Sequence, residues 1–127
     1  MTELSGVRPL VIIPTKNREV SKPFFQEVLG MRLLKDDDFA AVFAIPGGEL
    51  RLSEVKDWEA HSHTIFGFGV DDVERVAAAL RAKGVSFERF EWMTQSDDGI
   101  WTAPDKSARV AWFKDPDGNL LSLTQFA

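Results

Sequence analysis

The chain has 127 residues, 44% apolar and 28% charged, enough for one domain or for two small modules sharing a core, and this excludes intrinsic disorder and a multidomain machine. Fifteen Lys and Arg against twenty Asp and Glu leave a net charge of −5 with no basic patch, so nucleic acid is not an expected partner. The absence of cysteine removes disulfides, thiolate nucleophiles and Cys-ligated metal sites, and suits a reducing compartment.

Residues 10–13 (Leu-Val-Ile-Ile) read as a short strand stopped by Pro14 and followed by the polar turn Lys16-Asn17-Arg18. Val20, Phe24, Phe25, Val28 and Leu29 then recur at helical spacing. With Ser21 as cap and Gly30 as stop, they predict a helix over 21–29. Residues 31–34, 39–45 and 49–55 are short apolar or alternating runs, separated by Asp36-Asp37-Asp38 and by Pro46-Gly47-Gly48, and predict three strands.

The second half repeats this order. Residues 63–70 predict a strand, Asp71 with Glu74 suggests a capping box, and the stripe Val73, Val76, Ala77, Leu80 predicts a helix over 73–83 closed by Gly84. Residues 85–91, 109–113 and 120–126 predict strands, the last two joined by the turn Pro116-Asp117-Gly118-Asn119, and 92–108 form one long irregular segment. No run reaches the roughly 18 apolar residues of a membrane span, and residues 1–8 carry neither the basic start nor the apolar stretch of a signal peptide. A cytoplasmic protein with no membrane partner is expected.

Each half is therefore strand, helix, three strands. The repeat also shows in letters: Gly47-Gly48-Glu49-Leu50-Arg51-Leu52 aligns with Gly118-Asn119-Leu120-Leu121-Ser122-Leu123. One such half cannot cover both faces of its sheet, so the modules, about 8–57 and about 61–127 of a single domain, must cover each other or pair with another chain around a shared concavity.

Three blocks carry a family resemblance: residues 20–30 (Val-Ser-Lys-Pro-Phe-Phe-Gln-Glu-Val-Leu-Gly), Gly69-Val70-Asp71-Asp72-Val73, and residues 112–123 from Trp112 to Leu123. In that order they resemble the vicinal oxygen chelate superfamily of glyoxalase, bleomycin-resistance and extradiol dioxygenase proteins. The resemblance implies an α+β fold of two βαβββ modules forming a cupped, incomplete barrel with a central cleft, and a homodimer whose clefts draw on both chains. It also implies a metal quartet of His, Glu or Gln, one from each outer strand. Carried over position by position, those slots hold Leu10, Arg51, Ile65 and Ser122. Leu and Ile offer no lone pair and a guanidinium repels a cation, so no metal and no other cofactor is expected. His61 and His63, two apart, are the alternative as a displaced ligand pair.

Other residues point to binding. Arg51 and Glu49 alternate with Leu50 and Leu52; Arg51 could clamp an acidic ligand or simply pair with Glu49. Trp112 alternates away from Phe113 toward the face of Ser122. Trp92 and Trp101 lie in the long segment, which can overhang a cleft or be pinned by buried indoles. Asp71 to Glu74 and Asp115 to Gly118 are explained by capping and turn chemistry, and no catalytic residue stands out. Ten Phe, four Trp and no Tyr, with no convincing general base, suit holding a flat molecule better than transforming it.

The expected function is therefore metal-independent binding and sequestration of an aromatic antibiotic or metabolite, as in bleomycin-resistance proteins. Leu10, Ile12, Glu49, Arg51, His63, Ile65, Trp101, Trp112 and Ser122 would form the site. The alternative is a glyoxalase- or dioxygenase-type lyase or isomerase with a displaced or absent metal.

Overall fold

The computed structural model describes residues 3–127. They form two compact units that divide between Glu59 and Ala60. Each unit is a four-stranded mixed sheet, open at both edges, with a helical element between its first and second strands, so the fold is α+β and its modules follow the strand-helix-three-strand order. Among the described residues no helix is long and apolar enough to cross a membrane.

In the first unit β1 (Leu10–Thr15), β2 (Leu33–Asp36), β3 (Ala41–Ile45) and β4 (Gly48–Glu54) stand in the order β1-β4-β3-β2, with β1 parallel to β4. Alternation decides the faces. Ile13, Leu50 and Leu52 are buried on the side covered by the helical element, where Phe25 packs on Phe43 with ring centroids 6.0 Å apart. Each such side chain contributes roughly 1.5–3 kcal/mol relative to exposure. The opposite face carries Leu10, Ile12, Glu49 and Arg51.

The helical element differs from expectation. It begins earlier, as α1 (Arg18–Pro23), because Asn17 Oδ1 accepts the Glu19 N–H at 3.1 Å and so is the cap. Ser21 is instead buried, its Oγ accepting the Thr15 hydroxyl at 2.8 Å. Pro23 can donate no N–H to the α-helical ladder, and from Phe24 to Val28 the chain widens into a π turn in which the Leu29 N–H reaches the Phe24 carbonyl. Gly30, at φ +73°, ends the segment as predicted.

In the second unit β5 (Thr64–Gly69), β6 (Trp101–Thr102), β7 (Ala108–Lys114) and β8 (Leu120–Phe126) stand in the order β5-β8-β7-β6. The helix α2 (Val73–Ala82) lays Val73, Ala77 and Leu80 on β7 and β8. Asp72, not Asp71, caps it through the Arg75 N–H. Gln125 Oε1 takes the Val73 N–H, and Glu74 reaches Arg109 rather than closing a capping box. The predicted strand over 85–91 is reduced to one bridge, Phe87 with Phe113, and the edge strand is β6.

The 115–119 turn is held from inside. Buried Asp115 accepts the N–H groups of Asp117 and Asn119 on Oδ1 and the Asn119 Nδ2 on Oδ2, each at 2.9 Å. Burial raises its affinity for a proton above that of an ordinary aspartate, and these hydrogen bonds offset part of the rise.

Candidate functional site

The second unit gathers most of the aromatic side chains singled out in the sequence. Ala111 and Phe113 point to the α2 side of β7, so Trp112 points to the other face. There Trp112 stands in register with Ser122 of β8, and Ser122 with Gly67 of β5, forming one row across three strands. Trp101, paired with Val110, shares this face, and its ring lies 6.4 Å from that of Trp112. The pairing register slips at half-buried Ile65, between Thr64 and Phe66, and the residue opposite Ser122 is Gly67.

Residues beyond β5 and β7 complete a cavity of about 300 Å³ on this unit. Phe90 meets Trp112 edge to face at 5.6 Å and lies tilted against Trp92 at 5.6 Å; Met93, His63 and Leu120 close the remaining sides. Trp101 lies instead on an adjoining cavity, lined with it by Trp92 and Met93. Ser122 is almost wholly buried and is not part of the lining. A second chamber, of about 370 Å³, shares Ser62, Phe90 and Leu120 with the aromatic one and adds His61, Glu88 and Lys114.

The segment presenting Phe90 and Trp92 is held by two side chains. Gln95 Nε2 donates to the carbonyls of Glu88 and Gly99 at 3.0 and 2.8 Å, while its Oε1 accepts the Phe90 N–H at 2.8 Å. Arg89 Nη1 donates to the Ser96 carbonyl at 2.8 Å. These bonds replace a regular ladder, which is why 85–91 pairs at a single bridge. Phe90, Met93, Glu88 and Gln95 were not singled out in the sequence. The only signal was the spacing of two between Phe90 and Trp92; the rings meet because residues 90–93 turn, the Met93 N–H donating to the Phe90 carbonyl at 3.2 Å.

In the first unit Leu10 pairs with Glu49 and Ile12 with Arg51, so these four site residues share one sheet face. Arg51 lies 3.8 Å from Glu49, the pairing that the sequence left open. The set Leu10, Arg51, Ile65 and Ser122 does not fit a divalent ion, which needs three or more deprotonated N or O ligands. Among the described residues no three His, Asp or Glu side chains come together to hold one. His61 and His63 stack on each other, centroids 5.3 Å apart, just before β5.

Each unit follows the βαβββ order, and the second carries an aromatic-walled cavity. The chain belongs to the Glyoxalase/Bleomycin resistance protein/Dioxygenase superfamily, whose model matches residues 9–123. It is similar to an integron cassette protein from the mobile metagenome of the Halifax Harbour sewage outfall, at 25% identity and a TM-score of 0.70, covering 97% of this chain and 100% of that one. It has the fold of the fosfomycin resistance protein FosX from Listeria monocytogenes (16% identity, TM-score 0.74, 98% and 95% covered). The lactoylglutathione lyase of Agrobacterium tumefaciens also shares it (13% identity, TM-score 0.73, 96% and 95% covered). No curated protein matches the chain in sequence.

Proposed function

We propose that this chain binds and sequesters an aromatic small molecule without using a metal. The observation that carries the reading is the cluster of Phe90, Trp92 and Trp112, backed by Met93, around a cavity of about 300 Å³. Flat ring faces and a thioether supply dispersion and stacking to a planar ligand. Among the described residues that line this cavity only His63 is titratable, so they pair no acid and base across it. The name of the superfamily includes bleomycin resistance, which is binding-type chemistry on this scaffold, and the donor set Leu10, Arg51, Ile65 and Ser122 agrees with a scaffold that does without an ion.

The second reading is an enzyme, a lyase, isomerase or dioxygenase, and the stacking of His61 on His63 is the observation that favours it. Tryptophan fluorescence titrated with a panel of aromatic natural products, together with elemental analysis of untagged protein, decides between them. Quenching or a spectral shift that Trp112→Ala weakens at least about tenfold supports binding. Fluorescence unmoved by the whole panel overturns it. Stoichiometric metal that disappears in His63→Ala supports the enzyme.

We also infer a homodimer. Leu10 and Ile12, on the sheet face away from the helical element, are 56% and 59% exposed on the edge strand β1, and a second copy would take this apolar area out of water. Light scattering giving the mass of one chain overturns the dimer.

A further inference from the structure

We propose that the ligand is an organic cation: a flat aromatic body held by Phe90, Trp92 and Trp112, bearing a protonated amine that sits against the carboxylate of Glu88. The inference rests on the binding reading above and goes on to the charge of the molecule.

Three observations carry it. The aromatic chamber and the one holding Glu88 share Phe90 as a common wall, so a ligand with its ring in the first has its substituent at the mouth of the second. Ring faces are negative in their quadrupole, and a cation next to Phe90 and Trp112 is attracted where an anion is repelled. Finally, Glu88 is anchored but loosely paired. Its N–H donates to the Trp112 carbonyl at 2.8 Å, which fixes it beside the ring, and among the described residues the one ion pair of its carboxylate, on a side chain 30% exposed, is with Lys114 Nζ at 3.6 Å. That separation is longer than a good hydrogen bond, and the Lys114 side chain is 53% exposed at the end of β7, free to turn into water.

An incoming ammonium can therefore take over the Lys114 contact and keep the ring contacts as well. A carboxylate would have to draw Lys114 off Glu88 and lie among three aromatic walls in a chain of net charge −5. Lys114 and His61 are the groups in the second chamber that would favour the anion; Lys114→Met removes the first, and the acetate probe below reads the pull of both.

The test uses three probes of one shape, 1-naphthylmethylammonium, 1-naphthylmethanol and 1-naphthylacetate, titrated into the whole chain by calorimetry at low and high salt. The ammonium should bind about tenfold tighter than the alcohol, with the acetate weakest, and added salt should reduce only the ammonium's advantage. In Glu88→Gln the ammonium-to-alcohol ratio should fall to within about twofold, whereas Lys114→Met should raise it several-fold. Acetate binding as tightly as ammonium, or a ratio that survives Glu88→Gln, overturns the cation. If Glu88→Gln does not fold, Lys114→Met decides, and a ratio unchanged or lowered there overturns it as well. If all three probes fail to bind the parent chain, the binding reading falls and the charge assignment with it. If the alcohol and the acetate bind but the ammonium has no advantage, only the charge assignment falls.

Discussion

The hydroxyl of Ser122 lies where a side chain on Gly67 would begin: a Cβ on Gly67 would come within 2.5 Å of Ser122 Oγ. The two small residues are in register on β8 and on the edge strand β5, so they share one space between these strands. Gly67→Ala must push the buried hydroxyl into another rotamer, at a cost of about 1 kcal/mol. In a Ser122→Ala background the same substitution should cost almost nothing. Chemical denaturation of the four members of this double-mutant cycle measures the coupling, and additive costs would show that the residues do not compete for one space.

Gln95 makes three hydrogen bonds that hold the backbone of Glu88, Phe90 and Gly99 together. Gln95→Ala leaves those groups without their partner, and a loss of about 1–3 kcal/mol is expected. The local consequence is sharper than the global one. Amide exchange at Phe90 should accelerate well beyond the change in overall stability, and the near-ultraviolet circular dichroism from Trp92 and Trp112 should weaken. Unaltered exchange at Phe90 would mean that Arg89 and the backbone bond from Glu88 to Trp112 hold the segment without Gln95.

Much of the scaffold was legible because it rests on local rules. The stripe through Val73, Ala77 and Leu80, the glycine ends at Gly30 and Gly84, and the alternation that sends Leu50 and Leu52 one way and Arg51 the other all depend on neighbours within a few positions. Ambiguity arose where two residues could do one task, as with Asp71 and Asp72 at the α2 cap, or where a distant group intervened. The Gln125 side chain takes the α2 N-terminal amide from across 52 positions, and Gln95 and Arg89 satisfy backbone groups that would otherwise have extended a strand. The slip at Ile65 is of the same kind: alternation counted from Thr64 gives the wrong residue opposite Ser122 once the register shifts. The aromatic cavity was half legible, since Trp112 follows from strand parity while Phe90 and Met93 are brought in by the irregular segment.

Asp115 gives the fold an acid-side signature. The folded chain holds a proton on this carboxyl more tightly than the unfolded chain, because burial raises its affinity. Its contribution to stability is therefore full below the ordinary aspartate range and is lost as pH rises through the raised value. Asp115→Asn does not titrate, and it sets an amide NH₂ against Asn119 Nδ2, where the parent has an acceptor. The variant should be less stable by about 1–2 kcal/mol, with the gap wider at about pH 4 than at about pH 7. Denaturation at the two pH values measures it, and a gap that narrows on the acid side would show that the hydrogen bonds, not burial, dominate.

Ser122→Glu tests whether the scaffold could regain an ion in a single step. Ser122 is 7% exposed, and its partners in register are Gly67 and Trp112, neither of which can ligate. One carboxylate alone does not hold a divalent cation against its hydration shell, so calorimetry with Zn²⁺, Mn²⁺ and Ni²⁺ should show no tight binding. The charge itself is costly in that position, about 1–3 kcal/mol, although the absence of a side chain on Gly67 leaves room for the stem to turn toward water. A carboxylate in the row of Trp112 should also favour an ammonium probe over its alcohol analogue more strongly than the parent chain does. Tight binding of a metal by this variant would require His61 or His63 to turn onto the same face, and would move the reading of the whole site from ligand binding toward metal chemistry.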